Sequence, residues 1–148
     1  MVEEYQKGLP LLTILKLGGI LRRKIFFREL LIIYSIVVFI FSSRPEVGIG
    51  QLFYGQDKVI HFLTYAIHTF LCLAALSDKI LLLKFIHYRL ALVFSISYSI
   101  FNEIYQYFVP EREFSIGDII ANILGIITCL ILVYVINVKK GARHQILH

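Results

Sequence analysis

Ile116–Val138, IGDIIANILGIITCLILVYVINV, decides the fold. The stretch holds no lysine or arginine and a single acid, Asp118, near its start. It outlasts the ~20 residues a helix needs to cross ~30 Å of hydrocarbon at 1.5 Å per residue. A continuous strand of this length would be too long. A helix satisfies its own backbone where no water reaches it. Working outward, similar apolar blocks run from about Val59 to Leu76 and from about Leu90 to Val109, the latter stopped by Pro110. A further block runs from about Ile25 to Phe41 and is ended by Ser42, Ser43 and Pro45. The pattern predicts an all-α integral membrane protein, a bundle of four transmembrane helices.

Composition agrees. Of 148 residues, 58% are hydrophobic, and the mean hydropathy is +0.77, whereas an ordinary soluble domain is about 45–50% apolar. The length suits one domain. The net charge of +5 does not mark a nucleic-acid binder, because the basic residues flank apolar blocks and no base-stacking aromatics sit on a polar platform. Cys72 and Cys129 each lie within an apolar run, where a thiol acts as a small hydrophobe, so neither a disulfide nor a metal knuckle is expected.

The basic residues set the topology. Lys7, Lys16, Arg22, Arg23, Lys24 and Arg28 precede or open the first block, Lys79, Lys84 and Arg89 lie between the second and third, and Lys139, Lys140 and Arg143 follow the fourth. Only Arg44, Lys58 and Arg112 fall in the other two connections. By the positive-inside rule both termini are cytoplasmic, as an even number of crossings requires, and the chain is a multi-pass protein of the plasma membrane. Three parts follow: an N-terminal cytoplasmic or interfacial segment (1–24), a four-helix membrane domain (25–138) and a basic cytoplasmic tail (139–148). Leu9 to Leu21 is interrupted by Lys16 and the Gly18-Gly19 pair and lacks a small-residue cleavage site, which argues against a signal peptide. It reads as an amphipathic interfacial segment or a flexible arm.

Ionisable residues within membrane helices are costly and mark functional candidates. Asp57, His61, Tyr65, His68 and Cys72 recur at helical spacing on one face of the second block. Ser95, Ser99, Asn102 and Gln106 do the same on the third, with Glu103 beside them, as do Ser115, Asp118, Asn122 and Gly125 on the fourth. Depth along each helix places Asp57, His61, Glu103, Gln106, Ser115 and Asp118 in one outward-facing layer. Plainer roles compete. Ser115-x-x-Asp118 resembles a capping box, Asp57 is a candidate N-cap, and His68 and Cys72 suit packing. Gly117, Ala121 and Gly125 form a small-residue track for close helix approach. Glu103, well inside a helix end, has no evident capping duty and needs a partner, for which His61 and Arg112 are the natural choices. His61, Glu103 and Asp118 could serve as acid–base groups or, with a divalent metal, as ligands, and Lys58 with Arg112 could clamp a phosphate. No cofactor is otherwise called for, and no P-loop, H-E-x-x-H or Ser-His-Asp spacing is present.

In order, the chain carries F-S-S-R-P at Phe41–Pro45, D-K-V-I-H-F at Asp57–Phe62 with Tyr65 following, N-E-I-Y-Q-Y-F-V-P-E-R at Asn102–Arg112 and S-I-G-D-I-I-A-N-I-L-G at Ser115–Gly125. This series resembles the VanZ-like family of small bacterial membrane proteins, over roughly Leu30 to Val135. Asn102 stands where an acid is common, which weakens a paired-carboxylate mechanism there, and the loop after Pro45 lacks the usual prolines. The resemblance implies a four-helix membrane domain linked, in its namesake, to lowered susceptibility to teicoplanin-type glycopeptides; it brings no reaction with it.

Three functional readings result. The first is an envelope-modulating protein that binds a lipid-linked or amphiphilic ligand, such as a lipid-linked wall precursor or a lipoglycopeptide, through Asp57, Lys58, His61, Tyr65, Asn102, Glu103, Gln106, Arg112, Ser115, Asp118 and Asn122. The second is a membrane enzyme acting on a lipid headgroup or carrier phosphate, with Glu103, His61 and Asp118 as its catalytic groups. The third treats the polar layer as structural glue between helices. Membrane lipids are the expected surroundings, and the sequence leaves the oligomeric state open.

Overall fold

Four helices make up the fold in a computed structural model that describes residues 11–44, 53–77, 83–110, 112 and 114–146. Lys7, Pro45 and Lys79 lie outside the described residues, as does the start of the interfacial segment. The helices are α1 (Leu11–Ser42), α2 (Gln56–Leu76), α3 (Phe85–Gln106) and α4 (Ile116–Ile146).

Three of them, α1, α2 and α4, are long and apolar enough to cross a membrane. With 22 residues α3 has the length, but polar side chains dilute its hydropathy. Those side chains are buried: Ser95, Ser99, Asn102, Glu103 and Gln106 all turn inward. Val93, Phe94, Ile100, Phe101 and Ile104 point out. Polar-in and apolar-out is the reverse of a water-soluble helix and suits a lipid surround.

Several helix boundaries differ from the sequence reading, α2 and α3 starting a few residues earlier, at Gln56 and Phe85. Helix α1 runs unbroken through Gly18, Gly19 and residue 24, so its 32 residues measure about 48 Å at 1.5 Å each. Its Leu17–Ser42 portion has the hydropathy of a span. Likewise α4 continues past Val138 to Ile146, so the described part of the basic tail is helical. At its far end α3 stops at Gln106 rather than Val109. Phe108 N–H donates to Tyr105 O and Val109 N–H to Gln106 O, both at 3.0 Å, so the helix tightens into i→i−3 turns. Pro110 disfavours the α conformation in the residue before it, which makes this unwinding the natural exit.

Helix α2 is central and packs on all three others, most extensively on α4. The reason lies at Gly125. A Cβ there would sit 2.1 Å from the Phe62 carbonyl oxygen, so α4 and α2 approach backbone to backbone, as the small-residue track foretells. Below this contact Cys72, Leu73, Ala91, Cys129 and Val133 form the apolar core, and both cysteines are free. Helix α1 is peripheral, touching α2 and, more sparsely, α3. This looser fit leaves room for the site.

Candidate functional site

At one end of the bundle α1 and α3 finish while α2 and α4 begin, and the predicted polar layer gathers there. Its foundation is Glu103, only 1% exposed. Ser115 donates its backbone N–H to Glu103 Oε1 at 3.0 Å. Glu103 therefore has the capping duty that its position within α3 seemed to deny it: it caps α4, a different helix. Ser115 completes the cap, its Oγ accepting the Asp118 N–H at 3.2 Å. The capping reading of Ser115 is correct, with the reciprocal partner supplied from α3 rather than by Asp118.

Asp57 is not an N-cap. The N-cap of α2 is Gly55, held at φ 82°, a conformation glycine adopts without a Cβ penalty. Asp57 lies in the first turn, where an acid favours the helix dipole, and accepts a bond from Lys58 Nζ at 2.7 Å. Lys58 also reaches Asp118 Oδ1 at 3.2 Å. Two acids thus occupy Lys58, and it does not join Arg112 as a phosphate clamp. Arg112 instead donates Nε–H to the Arg44 carbonyl at 3.1 Å, tying the α3–α4 connection to the end of α1.

His61 joins the two sides. Its Nδ1–H donates to Asn122 Oδ1 at 3.0 Å, while Nε2 stands 3.9 Å from Asp118 Oδ2, beyond hydrogen-bonding distance. Asn102 Nδ2 donates to the Tyr65 hydroxyl at 2.9 Å. Asn102 Oδ1, Asn122 Nδ2 and Ser99 Oγ are buried without a partner. Such atoms are costly unless water or a guest supplies the missing bond.

A cavity of about 390 Å³ opens between α1, α2 and α3 at this end. His61, Tyr65, Asn102, Glu103, Gln106 and Arg112 line it from one side. Val37, Val38 and Phe41 of α1 form an apolar wall opposite. The predicted residues thus divide in two. Six line the cavity, whereas Asp57, Lys58, Ser115, Asp118 and Asn122 lie outside its lining and brace it through the bonds just described. The side chains of α1 in this site escaped the sequence reading. Tyr34, which donates to Thr64 O at 3.1 Å, also lines the cavity, as do Thr64 and Ser42. Their signal was a polar residue recurring with Val38 and Phe41 on one face of an otherwise apolar run.

His68, two turns along α2, is enclosed. Its ring nitrogens meet Ser95 Oγ at 3.2 Å and Ser35 Oγ at 3.3 Å, and its ring stacks on Tyr98 with centroids 4.8 Å apart. Cys72 Sγ lies 3.7 Å away. Both residues fill packing roles, as the sequence suggested. Among the described residues no three His, Cys, Asp or Glu side chains gather to hold a metal ion. With Glu103 turned to Ser115, the His61, Glu103 and Asp118 set does not form a ligand cage.

The VanZ/LLP1 family profile matches residues 21–137, the span that holds the motifs from Phe41 to Gly125. The chain belongs to the VanZ/LLP1 family. The VanZ/LLP1 match takes in every residue of the cavity and its bracing network. No curated protein and no solved structure matches the chain.

Proposed function

We propose that this VanZ/LLP1 protein is a four-span protein of the plasma membrane with both termini cytoplasmic, and that its outward cavity binds a lipid-linked or amphiphilic ligand. Through that ligand it modulates the cell envelope or susceptibility to teicoplanin-type glycopeptides. The lysine and arginine bias supports the orientation. The observation that carries the binding reading is the two-sided cavity: an apolar α1 wall for a hydrocarbon tail, and Asn102, Glu103 and Gln106 opposite for a polar head.

The binding reading predicts that Glu103→Gln and His61→Ala, expressed at wild-type levels, abolish any change in glycopeptide susceptibility that the wild-type protein confers. Wild-type behaviour in both variants would sink it. One observation favours a second reading, an enzyme acting on a lipid headgroup or carrier phosphate: His61 lines the cavity and an acid, Asp118, lies 3.9 Å from its Nε2, near enough for one bridging water to link the two as an acid–base pair. Turnover of an envelope lipid by purified protein, lost in Asp118→Asn, would decide for this reading.

A further inference from the structure

A second cavity lies at the opposite end of the bundle. It measures about 300 Å³ and is lined by Arg28 and Leu31 of α1, Cys72, Ala75 and Leu76 of α2, and Leu90 and Phe94 of α3. Its lining is ordered by depth. Arg28, Leu76 and Leu90 form the rim, and Leu31, Cys72 and Phe94 lie about one helical turn further towards the bundle's middle, roughly 5 Å along each axis. Everything below the rim is apolar.

The exception is Arg28, which is exposed and makes no hydrogen bond or ion pair with the described residues. A guanidinium at this depth draws its side chain towards the headgroups and offers a planar set of donors suited to a phosphate. Small side chains create the space beneath it: Cys72 and Ala75, 2% and 5% exposed, leave a gap that larger residues would close.

We infer that this groove is a specific site for an anionic phospholipid of the cytoplasmic leaflet, its phosphate on Arg28 and one acyl chain between Leu31, Cys72 and Phe94. The rim lies at the end where Lys24, Lys84, Arg89, Lys139 and Lys140 gather, which draws anionic lipid to that surface. Arg28 differs from these in standing over an apolar groove that can hold the chain attached to the phosphate. The site is separate from the outward cavity and needs no ligand there.

The test uses full-length protein in nanodiscs of mixed phosphatidylglycerol and phosphatidylcholine with identical acyl chains, and reads the lipid retained by native mass spectrometry. Wild-type protein should retain phosphatidylglycerol in preference to phosphatidylcholine. Arg28→Gln should lower that preference about fivefold, the effect of one cation near a charged surface, and Arg28→Lys should restore part of it. Lys139→Gln, away from the groove, should change it little. A thermal melt of each variant separates lost binding from lost folding, and an Arg28→Gln protein that melts below wild type is replaced by Leu31→Ala, which should shorten retention of both lipids. Equal retention of the two lipids by wild type, or equal losses in Arg28→Gln and Lys139→Gln, would overturn the site.

Discussion

Helix α2 meets its two larger neighbours in opposite ways. Against α4 it closes backbone on backbone at Gly125, with no room for a Cβ. Against α1 it stands off, held by side-chain bonds such as Tyr34 to Thr64 O, and cavities lie at both ends of the gap. In lipid there is no hydrophobic drive to squeeze helices together, so the closeness of each seam reflects side-chain size and hydrogen bonding. Small residues along α4 give the tight seam; bulky, branched ones along α1 keep the other open. One seam fixes the helices in place, and the other leaves space for guests.

Gly125→Ala should break this contrast most severely. The added Cβ would fall 2.1 Å from Phe62 O and 3.2 Å from Ala66 N, and neither atom can move without shifting α2. Overpacking of a closed contact costs about 1–3 kcal/mol, sometimes more, and a clash with backbone belongs at or above the upper end. Melting of purified protein in detergent reads the loss. Val38→Ala on the cavity wall should cost less than about 1 kcal/mol, because partly buried α1 side chains lose little when truncated. If the two variants melt alike, the seams are not different in kind.

The two histidines on one face of α2 divide differently, His61 bonding to α4 beside the cavity and His68 to α1 and α3 within the bundle. His68→Ala removes bonds to Ser35 and Ser95 and a stacked ring within a closed packing, although Ser35 still donates to the Leu31 carbonyl and Ser95 to Cys72 Sγ. A loss of about 2–3 kcal/mol follows from those terms together. His61→Ala removes one bond to Asn122 beside a cavity and should cost about 1 kcal/mol. Its larger effect should be on function. Should His61→Ala destabilise as much as His68→Ala, the polar layer is glue and the third reading gains.

The histidines also mark how far sequence reasoning reached. Helical spacing placed Asp57, His61, Tyr65, His68 and Cys72 on one face and brought α2, α3 and α4 polar residues to one end, because period and depth follow from chain geometry alone. What spacing could not supply was which atom meets which. Glu103 caps α4 across a turn, a contact set by how the α3–α4 connection folds back after Pro110. The cap of α2 fell to Gly55 because its backbone turns left-handed one step before the first helical residue, whereas a polar side chain at Asp57 looked the better cap by residue type. The wall from α1 was missed for a related reason. A helix that reads as uniformly apolar can still present Tyr34 and Ser42 to a cavity once a neighbour stands off.

Lys58 offers the finest test. Its ammonium holds Asp57 and Asp118 together across the mouths of α2 and α4, yet its side chain is 49% exposed. An exposed ion pair contributes about 0–1 kcal/mol and is screened by salt. Lys58→Met should therefore move the melting point little, by no more than about 0.5 kcal/mol in stability, and less in high salt. The change releases Asp118, however, and Asp118 stands behind His61. If the network exists to hold that acid in place, Lys58→Met will alter the phenotype while leaving stability almost unchanged, which sets the polar bracing at the mouth of the α2–α4 seam apart from the backbone contact at Gly125 within it. A stability loss as large as that of His68→Ala would instead make Lys58 part of the fold's framework and erase the distinction between the two regions.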